Sequence, residues 1–249
     1  MKARYRRFLV PRATTTAMPV FRLIDELVFP PPAQAENGLL AVGGDLCEAR
    51  LLLAYRMGIF PWYCSGEPIL WWSPDPRFVL LPENLKIAKS MKPVLQRNLF
   101  TITCDRSFRE VVEACRKPRK KQRGTWITDE MVTAYCRLHE QGFAHSAEAW
   151  LEGTLAGGLY GVSLGGCFFG ESMFTRVSNA SKAAFITLTR TLRQLGFVLI
   201  DCQVYTDHLR SLGAKMIPRH LFLDILRSAL ERPTWQGNWG EMEAFRWLP

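Results

Sequence analysis

The feature that most constrains the fold is a change of pattern near residue 77, after which short apolar runs alternate with amphipathic segments. The glycine-punctuated stretch 144–174 predicts two or three antiparallel strands. Further strands are predicted at residues 78–81, 100–104 and 197–201. Capping residues and terminal glycines predict helices at about 107–116, 128–142, 180–195, 206–212 and 219–230. Strands and helices mixed in this way indicate an α+β fold.

The chain before this change has a different character. Residues 1–20 are predicted to be a polar extension without fixed structure, although their Arg and Thr content also resembles an organelle transit peptide. Residues 58–76 are rich in proline and aromatic side chains and are predicted to be irregular. They are a candidate boundary between two domains. We therefore expect a small N-terminal domain at 21–76 and a larger domain at 77–249.

Composition narrows the class of protein. The 249 residues include 32 Lys plus Arg against 23 Asp plus Glu, a net charge of +9, which favours a polyanionic partner. No apolar run of about 18 residues is present, so a membrane span is not expected. The seven cysteines are scattered without a C-x-x-C pair, which predicts reduced thiols in a cytoplasmic protein and no zinc site. Motifs for nucleoside triphosphates and dinucleotides are also missing from the sequence, and we expect no cofactor.

The positive charge is concentrated in two places. Residues 116–123 (RKPRKKQR) hold six cations in eight positions, which fits either contact with nucleic-acid phosphates or a solvated loop. Residues 86–97 add further cations that would lengthen the basic surface. The candidate phosphate contacts are Lys89, Lys92, Arg97, Arg119, Lys120 and Lys121.

Two other groups of residues carry possible chemistry. Eight tryptophans are present, and those in loops can serve either as core plugs or as platforms that stack on nucleobases. Glu171 ends a glycine-rich hairpin, and Asp201 and Gln203 end a buried apolar strand, positions that often face a cleft. Ser172 lacks the second glycine of a nucleophile elbow, so no covalent nucleophile is indicated.

Six motifs in order resemble those of the leucyl/phenylalanyl-tRNA–protein transferase family. They are GLLAVGGD (38–45), GIFPW (58–62), WWSPDPR (71–77), GTWIT (124–128), GESMF (170–174) and DCQV (201–204). The resemblance spans residues 21–230 and implies an acetyltransferase-like (GNAT-type) domain, with a mixed sheet flanked by helices, after a small N-terminal domain. It also implies transfer of Leu or Phe from aminoacyl-tRNA to the N-terminal Arg or Lys of a protein, which marks that protein for degradation.

The resemblance further implies roles for individual residues. The adenosine-binding tryptophans correspond to Trp62 and Trp126, polar site positions to Tyr135 and Glu171, and the pair proposed to assist the amine to Asp201 and Gln203. The implied aminoacyl pocket consists of Leu159, Phe168, Met173, Phe185, Leu188, Leu192 and Ile200. Such a pocket would accept Leu, Phe and Met, because one methylene changes discrimination by only about 1–3 kcal/mol.

An aminoacyl ester is already activated, so the task is to orient the amine and the carbonyl group. We expect the Gln203 amide to orient the amine, with the Asp201 carboxylate fixing Gln203 and stabilising developing positive charge, and Glu171 to bind the acceptor's cationic side chain. Proton abstraction through the Asp201–Gln203 pair is the alternative that the resemblance suggests.

The expected partners are aminoacyl-tRNA and an acceptor protein, with the enzyme acting as a monomer. Three other functions stay open: acyl-CoA-dependent acetyl transfer, RNA binding without catalysis, and transfer to acidic N-termini. The segment 176–179 lacks the glycine-rich turn that would hold the pyrophosphate of coenzyme A, which argues against the first.

Overall fold

The computed structural model describes residues 6–10, 18–117 and 127–245, and for residues 6–10, 18 and 19 the backbone only. Its first sheet has five strands in the order β1-β2-β3-β5-β4. These strands are β1 (Arg6–Val10), β2 (Met18–Leu23), β3 (Leu39–Gly43), β4 (Phe60–Pro61) and β5 (Leu70–Trp72).

Two predictions about this region are wrong. Residues 6–10 and 18–20 are not an unstructured extension, because β1 pairs antiparallel with β2, and β2 pairs parallel with β3. The stretch 58–76 is not wholly irregular, since β4 and β5 pair with each other and β5 also pairs with β3. Strands β4 and β5, with two and three residues, are too short to show a two-residue alternation in the sequence.

Helix α1 (Glu48–Arg56) packs against the helix Arg219–Leu230. Gly58 follows it with φ +70°, a left-handed conformation that favours glycine. A Cβ atom at this position would come within 2.7 Å of Phe222 and 2.8 Å of Leu223. Glycine is therefore required both for the turn and for the close approach of the two helices.

The second sheet has seven strands in the order β12-β6-β11-β10-β9-β8-β7. They are β6 (Arg77–Leu80), β7 (Thr101–Cys104), β8 (Ala144–Leu151), β9 (Thr154–Leu164), β10 (Cys167–Thr175), β11 (Leu199–Gln203) and β12 (Lys215–Ile217). Only β10 and β11 pair in parallel, so the sheet is mixed. The predicted hairpin strands within 144–174 are confirmed as β8, β9 and β10.

Six helices accompany this sheet. They are α2 (Met91–Gln96), α3 (Phe108–Arg116), α4 (Asp129–Glu140), α5 (Ala180–Gln194), α6 (Asp207–Ser211) and α7 (Arg219–Leu230). The predicted capping role of Thr128 is confirmed, because its Oγ1 accepts a hydrogen bond of 3.2 Å from the Met131 backbone N–H. One apolar cluster joins α1, α3, α4 and α7 to the sheet, and a second joins α2 and α5 to it. The predicted α+β class is confirmed.

The tryptophan-containing tail packs against the sheet. Trp239 is buried, and its ring stacks on His145 at 3.7 Å between centroids and on Phe245 at 4.1 Å. Its backbone N–H donates to Asp105 Oδ2 at 2.8 Å, and the same carboxylate oxygen contacts Nδ1 of His145. Trp239 therefore serves the core.

Candidate active site

The candidate site forms where β10 and β11 separate. The two strands pair in parallel only over Cys167–Phe169 and Leu199–Asp201. Beyond this point each strand has a register shift against its other neighbour, one between Gly170 and Ser172 and one between Asp201 and Gln203. Bulges of this kind redirect side chains and occur frequently beside functional sites.

The two shifts bring Glu171 and Gln203 together. Gln203 Nε2 donates a hydrogen bond of 2.8 Å to Glu171 Oε1, across the place where the backbones have parted. Gln203 has φ +61°, a left-handed conformation that is uncommon for residues other than glycine. Its backbone N–H donates to Asp201 Oδ1 at 3.0 Å, which helps to hold this conformation.

Asp201 is part of a buried ion pair. The Arg77 guanidinium binds the Asp201 carboxylate in a bidentate manner, from Nε to Oδ1 at 2.8 Å and from Nη2 to Oδ2 at 2.6 Å. Both side chains are almost fully buried, with 1% and 0% exposed. The Arg77 guanidinium also donates to the Gly58 carbonyl and lies over the rings of Phe60 and Phe222.

The structure shows which atoms of Gln203 the Asp201 carboxylate contacts. The contact is with the backbone N–H, while the Gln203 side chain is held by Glu171. Arg77 compensates the charge of the Asp201 carboxylate, as burial of an anion requires.

Glu171 lies in a cluster of hydroxyl groups. Its Oε1 accepts from Tyr55 at 2.7 Å, and its Oε2 accepts from Tyr135 at 2.8 Å. The two hydroxyls are themselves 2.6 Å apart. Tyr55 belongs to α1 and Tyr135 to α4, so the cluster joins the N-terminal part of the chain to the second sheet.

Burial changes the acid–base properties of this cluster. Removal from water raises the pKa of Glu171 to about 7, although the donors Tyr55, Tyr135 and Gln203 act in the opposite direction. Burial also raises the pKa of both tyrosines well above its usual range. Glu171 can therefore change its charge near neutral pH, whereas the tyrosines stay protonated.

Of the two candidate adenosine platforms, Trp62 lies within the described residues. Trp62 is 41% exposed, just beyond β4, and its ring lies 5.9 Å from that of Trp72. Trp71, by contrast, is fully buried against Phe29. Trp126 lies outside the described residues.

Trp62 is connected to the site through β4. Phe60, which contacts the Arg77 guanidinium, precedes Trp62 by two residues, about 7 Å along an extended chain. Trp62 is therefore partly exposed and lies two residues along the chain from a side chain that contacts Arg77.

The residues of the expected aminoacyl pocket lie together. Leu159, Phe168, Phe185, Leu188, Leu192 and Ile200 are buried in the apolar cluster between α5 and the sheet, and Met173 is partly buried against it. Phe168 and Ile200 are directly paired across β10 and β11, shortly before the strands separate. The apolar cluster therefore reaches the point where Glu171 and Gln203 meet.

The candidate phosphate contacts fall into two groups. Lys89, Lys92 and Arg97 are exposed, in and around α2. Arg119, Lys120 and Lys121 lie outside the described residues.

Two residues of the cluster were missed by sequence reasoning. No role was assigned to Tyr55, and its partner Glu171 lies 116 residues away. Arg77 ends the motif WWSPDPR, but no role was assigned to it, and its partner lies 124 residues away. The available signal was a cation at the start of an apolar strand. It indicates a paired side chain, because arginine is rarely buried without a partner.

Comparison with known proteins gives a consistent result. Residues 79–227 match the family model described as leucyl/phenylalanyl-tRNA protein transferase, and residues 44–75 match the model of that protein's N-terminal domain. None of the helices in the described ranges is long and apolar enough to cross a membrane.

Similar proteins named leucyl/phenylalanyl-tRNA–protein transferase come from several bacteria. The one from Syntrophus aciditrophicus is 59% identical over 89% of this chain and 94% of its own length. Those from Desulforapulum autotrophicum and Myxococcus xanthus are 55% and 54% identical, over 89% and 90% of this chain and 98% and 97% of their own length. The solved structure of L-PGS from Bacillus licheniformis is a distant match, with a TM-score of 0.37 and 14% identity over 69% of this chain and 57% of that one. The chain belongs to the leucyl/phenylalanyl-tRNA–protein transferase family.

Proposed function

We propose that this protein transfers Leu or Phe, and also Met, from aminoacyl-tRNA to the N-terminal Arg or Lys of an acceptor protein. Family membership supports the reaction class. The observation that assigns the reaction to particular atoms is the position of the Gln203 side chain. Glu171 holds this side chain where an apolar cluster meets the gap between β10 and β11.

The reaction is an aminolysis. The acceptor's α-amino nitrogen forms a bond to the aminoacyl carbonyl carbon, the ester bond to the ribose oxygen breaks, and one proton of the amine is lost while the ribose oxygen gains one. An α-amino group has a pKa of about 7.7–8.0, so part of it is free base at neutral pH. Orientation of amine and ester therefore supplies much of the catalysis, since effective molarity is large for well-placed reactants.

Gln203 is the group that we place against the amine. One hydrogen of its Nε2 is donated to Glu171, and the amide oxygen, which only accepts, is the atom that can meet an N–H of the amine. Asp201 and Arg77 are positioning residues, because they hold the Gln203 backbone in its left-handed conformation. We assign Glu171 to orienting Gln203 rather than to the acceptor's cationic side chain, because three hydrogen-bond partners already occupy it.

The aminoacyl-tRNA would be held at three places. The aminoacyl side chain enters the cluster between α5 and the sheet, where Leu, Phe and Met can be buried. The terminal adenosine stacks on Trp62 and Trp126, and stacking on an aromatic ring is worth about 1–3 kcal/mol per base. Cations, among them the exposed Lys89, Lys92 and Arg97, contact phosphates without reading the sequence.

We also propose how the chain is organised. The first sheet and α1 form a small N-terminal domain that ends near residue 76, and the remainder is a GNAT-type domain. The mixed sheet, with its single parallel pair and helices packed on it, supports the second assignment. We propose that the protein acts as a cytoplasmic monomer.

The test is incorporation of labelled Leu from leucyl-tRNA into a peptide with N-terminal Arg. Parallel reactions use an otherwise identical peptide with N-terminal Asp, and acetyl-CoA in place of leucyl-tRNA. We expect label only in the Arg peptide supplied with leucyl-tRNA. Labelling of the Asp peptide would refute the acceptor assignment, and acetylation without Leu transfer would refute the proposed reaction.

A further inference from the structure

Three oxygen-bearing groups form a closed triangle beside Gln203. The Tyr55 hydroxyl lies 2.6 Å from the Tyr135 hydroxyl and 2.7 Å from Glu171 Oε1, and the Tyr135 hydroxyl lies 2.8 Å from Glu171 Oε2. All three side chains are buried. Contacts this short between buried oxygens each need a hydrogen atom between them, because otherwise lone pairs face each other without water.

Counting the available hydrogens decides the charge of Glu171. Each tyrosine hydroxyl supplies one hydrogen, and an ionised carboxylate supplies none. An ionised Glu171 therefore leaves one of the three contacts without a hydrogen. An ionised Oε2 accepts from Tyr135, and protonation of Glu171 at Oε2 reverses this one contact. The ring is then complete, since the O–H at Oε2 donates to Tyr135, Tyr135 donates to Tyr55, and Tyr55 donates to Oε1.

We propose that Tyr55 and Tyr135 hold Glu171 as a neutral carboxylic acid in the free protein, and that this neutrality keeps the attacking amine uncharged. The second half rests on the proposed function. A carboxylate close to the amine would stabilise its ammonium form, which has no lone pair with which to attack. Because Arg77 compensates Asp201 and a proton compensates Glu171, the surroundings of Gln203 carry no unbalanced negative charge.

The ionisable groups around Glu171 agree with this charge state. Tyr55 faces it from α1, Tyr135 from α4, and Tyr160 from β9, and all three stay protonated because burial raises the pKa of each well above its usual range. Asp201, from β11, further raises the pKa of Glu171, while the cation of this network, Arg77, is bound to Asp201.

The first test compares Glu171→Ala with Glu171→Gln. Glutamine is uncharged, and its amide can donate to Tyr135 and accept from Tyr55, so it preserves the ring, whereas alanine opens it. We expect Glu171→Ala to lose at least 100-fold in transfer rate at pH 7, and Glu171→Gln to recover to within tenfold of wild type. The wild-type rate should fall above about pH 7 as Glu171 ionises, and this alkaline fall should be absent in Glu171→Gln.

The opposite pattern would overturn the proposal. If Glu171→Gln loses 100-fold at pH 7 while keeping its fold, and the loss is larger for Arg peptides than for peptides with an uncharged N-terminal residue, then Glu171 acts as an anion that binds the acceptor.

A second measurement needs no transfer activity and so separates failure of this inference from failure of the proposed function. Infrared difference spectra of the free protein between pH 6 and pH 9 should contain a carboxylic-acid C=O band that is missing in Glu171→Gln. The control Glu83→Gln, which changes an exposed carboxyl group, should retain the band. A wild-type protein without this band at pH 6 would refute the neutral state, whatever the enzyme transfers.

Discussion

The Arg77–Asp201 pair makes a quantitative prediction about stability. Arg77→Met removes both hydrogen bonds to Asp201 and leaves a carboxylate that is fully buried, with the Gln203 backbone N–H as a remaining donor. Removing one partner of a buried ion pair costs about 3–5 kcal/mol, because the other charge remains without compensation. We expect Arg77→Met to lower the free energy of unfolding by this amount, measured by urea unfolding at pH 7 with tryptophan fluorescence.

The matched experiment adds Asp201→Asn. This variant leaves the Arg77 charge uncompensated and is expected to be similarly costly, whereas the double variant removes both charges and should cost clearly less than the sum of the two. Arg227→Met is the control, because Arg227 is 74% exposed and its pairing with Asp224 is a surface contact. A loss below about 1 kcal/mol for Arg77→Met, or strict additivity in the double variant, would refute the reasoning.

Three further predictions follow from the site. Trp62→Ala should raise the KM for leucyl-tRNA by about 5- to 150-fold, the loss of one stacking contact, and Trp62→Phe should recover most of it in a steady-state assay. Leucyl-tRNA binding should weaken steeply with added salt, and the double variant Lys89→Ala and Lys92→Ala should flatten the slope of log Kd against log salt concentration, measured by filter binding; an unchanged slope would exclude both residues from phosphate contact. Glu171 binds a proton in the folded protein that the unfolded chain releases, so the wild-type free energy of unfolding should fall as pH rises from 4.5 to about 7, by at most about 3 kcal/mol. Glu171→Gln should lack this decrease, and an equal decrease in both proteins would assign it to other groups.

The part of the fold that local signals encode was predictable. Thr128 begins α4 because its hydroxyl can accept from the first turn, and that requirement is visible in the sequence alone. The strands within 144–174 are long enough for their composition and their glycines to mark them. By contrast β4 and β12 have two and three residues, and their pairing depends on distant strands.

Three residues of the candidate site were identified from the sequence, but the contacts between them were not. Glu171, Gln203 and Asp201 follow from their positions at strand ends and from the motifs that contain them. Which carboxylate binds which donor depends on packing between residues more than 100 positions apart, such as Tyr55 with Glu171 and Arg77 with Asp201. A sequence pattern does not carry that information, so the compensation of Asp201 by Arg77 is a result of the structure.

The most direct test of the central claim is single-turnover transfer of Leu from saturating leucyl-tRNA to an Arg peptide by wild type and Gln203→Ala. If the Gln203 amide orients the amine, the variant should bind leucyl-tRNA with unchanged Kd and lose at least 100-fold in the transfer rate, with the same pH dependence of the remaining rate. An unchanged transfer rate in Gln203→Ala would contradict the account.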